Sequence, residues 1–541
     1  MHSILKKISN LINKITAIES DTKHPKQILT NTHNFSKFRS NNYIYVDKTR
    51  FIYQLLENDM TQCFLSRPRR FGKSLLINMM IEMFSGNKKL FKGLYIYDKY
   101  DFKPYPVIHL TFTKLEYDKS LEPHMSLYYA LTKYLGRLAK KHQIPIPDGP
   151  YLGSMIEDFS EKTNSPVVLL IDEYDKPLLR YIKEPDTRER VLDILKDLFS
   201  PLKDLTENLK FLFITGVSKF SQVSIFSDLN NLDDLTLHKD YSTIAGFTQQ
   251  EIDYYFKDYI NLLAEKLEKT SAEIKTQIKE WYDGYSWDGK QFVYAPFSIS
   301  HLFKNCEFNN YWFSSATPSF LIDVINELKA GNLSLRSFES HQMLNTDMEK
   351  YGIGNINLMP FLFQSGYLSI YDIQMNSLKV RIPNMEVRMS FYQHLFEQFS
   401  SNNLKHLDTL YQAICERNIE KMMTHIKNII ASIPYQILEN KEKVYHSHVY
   451  TILKTINNNT HSEISTNLGR IDTVMETPDT VYIFEFKMKS AESGIKQIKT
   501  NRYAESYLNK SKDIILIGVK FSESDRNISD YKYEYFKLYT E

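Results

Sequence analysis

Gly72-Lys73-Ser74 places three parts of a phosphate-binding loop in consecutive positions. In such a loop backbone N–H groups wrap the phosphates, a lysine reaches the outer ones, and a Ser or Thr hydroxyl holds Mg²⁺. The residues just before, Arg69, Arg70 and Phe71, join them as candidate nucleotide contacts. Arg67 stands where the usual pattern has its first glycine, and a side chain there strains a tight turn. A merely basic surface loop is the competing reading. Further on, Pro166-Val-Val-Leu-Leu-Ile-Asp172-Glu173 reads as a buried strand ending in two carboxylates. An ATPase needs one of them, Asp172, to hold Mg²⁺ and the other, Glu173, to polarise the attacking water. An Asp-Glu pair after a strand is commonly a helix cap, but with Gly-Lys-Ser upstream the expected ligands are ATP and Mg²⁺. Thr215 and Ser218 end another strand, where a hydroxyl could sense the γ-phosphate or simply cap a helix.

A second set lies near the other end. Thr477-Pro-Asp-Thr480 is a turn signal between Ile471-Asp-Thr-Val-Met475 and Val481-Tyr-Ile-Phe-Glu-Phe-Lys487. Pairing the strands symmetrically about that turn puts Asp472 opposite Glu485, with Cβ atoms ~5 Å apart. Lys487 falls on the same face, and Phe484 and Phe486 fall on the other. Facing carboxylates repel unless they share a cation, and hard oxygen donors of this kind suit Mg²⁺ or Mn²⁺. Such an ion can activate water and polarise a phosphodiester, and the adjacent lysine can stabilise developing charge. Glu442 or Glu463 could add a further ligand, and Gln497 and Tyr503 follow on the next helix. A solvated acid-base hairpin is the bland alternative.

The elements that must position these groups are legible in the apolar spacing. Cys63–Ser66, Val107–Phe112, Val167–Ile171 and Phe211–Thr215 read as short buried strands separated by helical patterns, which predicts a parallel sheet covered on both faces. Leu75, Leu76, Met79, Met80, Met83 and Phe84 repeat at helical spacing just after the loop. Thr248 and Glu251 form a helix-start signature. From about residue 400 the pattern runs helix, helix, two strands, helix, strand. The expected division is a leader helix over 1–25, an α/β ATPase domain over 26–245, a helical lid over 246–318, a winged-helix-like module over 319–398 and an α/β nuclease-like domain over 399–541.

Bulk properties set limits. At 541 residues the chain exceeds a single core. The 67 basic residues nearly cancel the 65 acidic ones, so any nucleic-acid surface must be local. Cys63, Cys306 and Cys415 lie too far apart in sequence for a C-x-x-C site, which fits a reducing compartment. The first residues lack the apolar run of a signal peptide, and no stretch approaches the ~20 apolar residues that span a bilayer. A cytoplasmic protein with no membrane partner is expected.

Five segments carry a resemblance: Tyr45-Val-Asp-Lys-Thr49, Ser66-Arg-Pro-Arg-Arg-Phe-Gly-Lys-Ser74, Leu170-Ile-Asp-Glu-Tyr-Asp-Lys-Pro177, Thr215-Gly-Val-Ser-Lys-Phe220 and Trp281-Tyr-Asp-Gly-Tyr285. Together they resemble the bacterial AAA-ATPase-like proteins with a C-terminal PD-(D/E)xK nuclease domain, over nearly the whole chain past the first few dozen residues. The resemblance implies a P-loop ATPase with Arg67 as a shared variant, a helical and winged-helix-like middle, and a restriction-endonuclease-like end in which Ile471-Asp472 replaces the Pro-Asp pair. It implies catalytic roles for Glu173, Asp472, Glu485 and Lys487. The expected function is ATP hydrolysis coupled to metal-dependent cleavage of nucleic acid, DNA before RNA, with a homo-oligomer allowed. A signalling or scaffold ATPase with a catalytically silent nuclease-like domain is the alternative.

Overall fold

A computed structural model of the chain describes residues 26–219, 225, 226, 229, 231–312, 335–348, 358–391, 403–432, 442–457, 459–466, 468–510 and 512–536. The leader helix expected over 1–25, and parts of the middle module expected over 319–398, lie outside the described residues. The chain forms two compact units. The first gathers the described residues up to Gln277 together with Gln291–Phe308, and the second gathers Ile278–Lys290 with those from Asn309 onward.

In the first unit, β1 (Gln62–Ser66), β2 (Val107–Thr111), β3 (Val167–Asp172), β4 (Leu209–Gly216) and β5 (Asp233–Asp234) make one sheet in the order β2-β3-β4-β1-β5. All its pairings are parallel. Parallel strands need crossovers that cover the sheet on both faces, which explains why β3 is buried at every position. On one face the Lys73–Phe84 helix buries Met79, Met80, Met83 and Phe84, and Phe84 meets Phe211 of β4 with ring centroids 5.3 Å apart. On the other face Leu127, Leu131, Ile156 and Leu195 join Leu169 and Ile171 in a continuous core. Each such fully buried side chain contributes about 1.5–3 kcal/mol. The order places the ends of β1, β3 and β4 side by side, so the loop after β1 faces the carboxylates after β3.

Thr248 caps the Gln249–Tyr255 helix in a reciprocal capping box with Glu251, as its spacing predicts. Glu251 also binds Lys48 at 2.8 Å, which gives the Tyr45-Val-Asp-Lys-Thr49 segment a structural task. Three further helices follow up to Asn305.

The second unit contains a three-stranded antiparallel sheet of β6 (His341–Leu344), β8 (Ser377–Arg381) and β7 (Ser369–Gln374), with the Leu358–Ser365 helix. The segment Trp281–Tyr285, which ends the Ser271–Tyr282 helix and turns, packs here. Gly284 has φ +105°, and a Cβ would lie 2.2 Å from the Pro383 carbonyl oxygen. Toward the chain end, β9 (Thr460–Thr466), β10 (Gly469–Glu476), β11 (Thr480–Lys487), β12 (Asp513–Ser522) and β13 (Asn527–Tyr535) form a mixed sheet in the order β13-β12-β11-β10-β9. The β11–β12 pairing is parallel and the others are antiparallel. Two strands and the Glu442–Ile456 helix go beyond the elements that the apolar pattern predicts. The fold class is α/β: a parallel sheet first, helices in the middle, a mixed sheet last. No helix among the described residues is long and apolar enough to cross a membrane.

Candidate functional site

The loop between β1 and the Lys73–Phe84 helix turns through two left-handed residues, Arg70 at φ +69° and Gly72 at φ +88°. Gly72 is the residue before the helix, so the helix begins at Lys73 with its free N–H groups at the loop. Lys73 is buried, and its Nζ donates to the carbonyls of Arg67 at 2.7 Å and Pro68 at 2.9 Å. Burial pushes its ammonium down to about 8, opposed by the nearby charges of Asp172, Asp175 and Glu173. Phosphate oxygens are the charged replacement for those two carbonyls.

Ser74 Oγ donates to Asp172 Oδ2 at 2.7 Å, and Thr215 Oγ1 donates to Asp172 Oδ1 at 2.7 Å. A hydroxyl and a carboxylate in direct contact are a hard donor set that fits Mg²⁺. Thr215 therefore engages the carboxylate, and Ser218 engages Asp175, whose Oδ2 takes the amides of Val217 at 3.0 Å and Ser218 at 2.8 Å. Asp175, which lies in the Leu170–Pro177 segment but has no role assigned by the sequence, ties the end of β3 to the end of β4. Glu173 sits at φ +56°, a rare conformation for a side-chain-bearing residue and one that concentrates at functional sites. Its carboxylate lies 3.5 Å from Lys176.

The three loop arginines divide. Arg67 is fully buried, donating to the carbonyls of Ser66 at 2.8 Å, Thr236 at 2.9 Å and Tyr241 at 3.1 Å. Its φ is not positive, so no glycine is required there, and its guanidinium locks the loop to the segment after β5. Arg67→Ala is expected to destabilise the protein by at least ~3 kcal/mol, because it opens a cavity and strands buried carbonyls. A denaturant midpoint equal to wild type would contradict that role. Arg70 stacks 4.2 Å from the centroid of Phe297, on the Pro296–Asn305 helix. Arg69 is exposed, and Phe71 is buried.

In the second unit, β10 and β11 pair in the register that the turn predicts, Thr473 opposite Phe484 and Glu476 opposite Val481. One step further Asp472 and Glu485 face each other, where the Asp472 carboxylate accepts the Phe486 amide at 2.8 Å. Glu485 is fully buried. Its Oε1 accepts from Lys487 Nζ at 3.0 Å and from Gln497 Nε2, whereas its Oε2 is buried with no hydrogen-bond partner among the described residues. Burial, and then the Asp472 charge, pushes the Glu485 carboxyl up to about 7. Gln497 reaches it because the Ala491–Thr500 helix packs directly on β12: a Cβ on Gly518 would lie 2.1 Å from the Ala491 carbonyl oxygen. Phe484 and Phe486 are buried and stacked 6.2 Å apart, anchoring the strand.

His446, which no motif flags, brings its Nε2 to 2.9 Å from both the Asp472 carbonyl and Thr473 Oγ1 and so pins β10 from the Glu442–Ile456 helix. The Tyr503 hydroxyl holds the Arg470 carbonyl at 2.9 Å. The side chains of Glu442 and Glu463 lie outside the described residues. Among the described residues no group of three or more His, Cys, Asp or Glu side chains is gathered to hold an ion. The unpartnered Oε2 beside a second carboxylate nevertheless fits a divalent cation, because a buried anionic oxygen without a donor is costly unless neutralised.

Glu485 is thus a weaker acid in the fold than in the unfolded chain. A carboxyl pushed from 4.5 to about 7 stabilises the metal-free fold fully below 4.5 and loses that contribution as pH rises through about 7. The melting temperature in a chelator is therefore expected to fall from pH 6 to pH 8, and Mn²⁺ or Mg²⁺ should restore it at pH 8. Glu485→Gln should flatten the profile. An identical pH dependence in wild type and Glu485→Gln would sink this account.

The family model described as Predicted AAA-ATPase matches residues 30–226, and the one described as PD-(D/E)XK nuclease superfamily matches residues 440–531. A protein of Azotobacter chroococcum mcd 1, described as an uncharacterized protein in the vnfD 5' region, is 33% identical over 516 residues, covering 91% of this chain and 96% of the relative. The chain belongs to the family that joins a predicted AAA-ATPase domain to a C-terminal domain of the PD-(D/E)XK nuclease superfamily.

Proposed function

We propose that the protein binds and hydrolyses ATP at residues 67–74 with Asp172 and Glu173, and that nucleotide state controls metal-dependent cleavage of DNA phosphodiesters at Asp472, Glu485 and Lys487. The observation that carries the nuclease half is the buried, unpartnered Oε2 of Glu485 facing Asp472. Arg69, Arg70, Phe71, Gly72, Lys73 and Ser74 are proposed to contact nucleotide, with Ser74 and Asp172 holding its Mg²⁺. The working division is ATPase over 26–245, lid over 246–318, middle module over 319–398 and nuclease-like domain over 399–541, in a cytoplasmic protein able to self-associate.

In the ATPase half the loop amides and Lys73 hold the phosphates and neutralise their charge. Glu173 then orients the attacking water and accepts its proton. In the nuclease half Asp472 and Glu485 would hold Mg²⁺ or Mn²⁺, which when bound supplies Lewis acidity to the phosphodiester and to water. Lys487 stabilises charge developing on the phosphate, and Gln497 fixes the Glu485 rotamer. The test is incubation of purified protein with plasmid, linear and single-stranded DNA and with RNA, each with and without ATP and Mg²⁺ or Mn²⁺. Metal-dependent loss of DNA supports the reading, and intact substrate under every condition rejects it.

A further inference from the structure

We propose that the ATPase half holds a second ligand, a small organic phosphate, in a cavity that meets the ATP site from the side away from the phosphate loop. The proposal rests on reading Ser74, Asp172 and Glu173 as the metal and water side of that site. These three form one wall of a cavity of about 430 Å³. Thr32, His33 and Asn34 come in from ahead of the first helix, and His109, Thr111 and Lys114 from the end of β2. Its lining contains no apolar side chain, and it includes neither Lys73 nor any residue of 67–72. A triphosphate held by the loop, with its Mg²⁺ on Ser74 and Asp172, therefore borders this space along one wall and leaves the side of His33, His109 and Lys114 open.

His109 and Lys114 also line a larger groove of about 820 Å³ beside β2, so the two spaces adjoin. The groove floor is apolar, formed by Ile81, Val107, Leu138 and Phe159. Its rim carries Arg137 and Lys141 besides Lys114, against a single acid, Glu116. Glu116 sits between Lys133 at 3.0 Å and Arg137 at 2.6 Å, all half exposed, and exposed pairs of this kind give way readily to a stronger anion. His109 Nε2 is buried without a hydrogen-bond partner among the described residues. Burial pushes its imidazole down to about 4, so the ring meets a ligand as a neutral hydrogen-bonding group.

An apolar floor, a cationic rim and a polar inner end suit a phosphate monoester with a ring-sized body and hydroxyls, the size class of a nucleoside monophosphate. The phosphate would lie on Lys114, Arg137 and Lys141, and the hydroxylated end would reach past His109 toward Glu173. There it takes the place of the attacking water. The ligand thus slows ATP hydrolysis without displacing ATP.

The test uses the full chain saturated with a non-hydrolysable ATP analogue and Mg²⁺. AMP and, separately, inorganic phosphate are titrated by calorimetry, and AMP is assayed as an inhibitor of ATP hydrolysis. AMP should bind the saturated protein at least tenfold tighter than inorganic phosphate and inhibit non-competitively with ATP. Arg137→Ala combined with Lys141→Ala, both on the surface, should weaken AMP at least tenfold and leave the affinity for the analogue within twofold. No AMP binding to the saturated protein, purely competitive inhibition, equal affinity for inorganic phosphate, or unchanged AMP affinity in the double variant would each overturn the proposal. Failure of wild type to bind the analogue would instead strike the ATP-site reading and remove the second site with it.

Discussion

Asp472→Ala or Glu485→Ala should abolish metal-dependent cleavage, by a factor on the order of 10³ or more, while ATP hydrolysis and folding persist. The two carboxylates face each other from adjacent strands, and each variant leaves one of them to hold a divalent ion alone. Folding is expected to survive because the Asp472 carboxylate, second only to burial itself, is what makes Glu485 a weaker acid and disfavours its charged form. Removing it relieves repulsion, so Asp472→Ala should move the Glu485 titration downward from about 7 in metal-free protein. Lys487→Ala separates binding from rate. It removes a cation that makes the Glu485 carboxyl a stronger acid, so metal binding should begin at higher pH, and cleavage at saturating metal should fall about 10²–10³-fold. Cleavage rates across pH and metal concentration, with carboxyl titration followed by NMR, check all three variants. An Asp472→Ala protein that cleaves like wild type ends the assignment.

Lys73→Ala should cost ATP binding about 2–5 kcal/mol, because the ammonium is buried at the loop, where its Nζ donates to the Arg67 and Pro68 carbonyls. Glu173→Gln should bind ATP normally and hydrolyse it about 10²–10⁴-fold more slowly, since the amide orients water but accepts no proton. Calorimetry with a non-hydrolysable analogue and a phosphate-release assay separate the two effects. Unchanged ATP affinity in Lys73→Ala would remove the site from residues 67–74.

What the sequence makes legible follows from where each element lies. β1, β3 and β4 are buried along most of their length, so they read as apolar runs, β2 at the sheet edge is buried on one face, and the Thr477–Thr480 turn between two apolar strands fixes the hairpin register. β9 and β13 are edge strands, and their residues, such as Ser462, Asp530 and Lys532, are polar because charge on an edge discourages further pairing. Their apolar signal is correspondingly faint. β5 has two residues, too few for any period. The task of Arg67 is hidden for a different reason: its partners Thr236 and Tyr241 are distant in sequence, and only the closed sheet brings their carbonyls to it. His446 is similar, one of two histidines on its helix, whose value depends on tertiary contact with β10.

The central claim is that one chain couples an ATP site to a metal-dependent nuclease site, and cleavage of plasmid DNA in Mg²⁺ or Mn²⁺, followed with and without ATP, tests it most directly. Wild type should cleave at a rate that changes with ATP, Lys73→Ala should cleave at one rate regardless of ATP, and Asp472→Ala should not cleave at all. Wild-type protein that leaves the DNA intact in every combination of metal and nucleotide would contradict the claim.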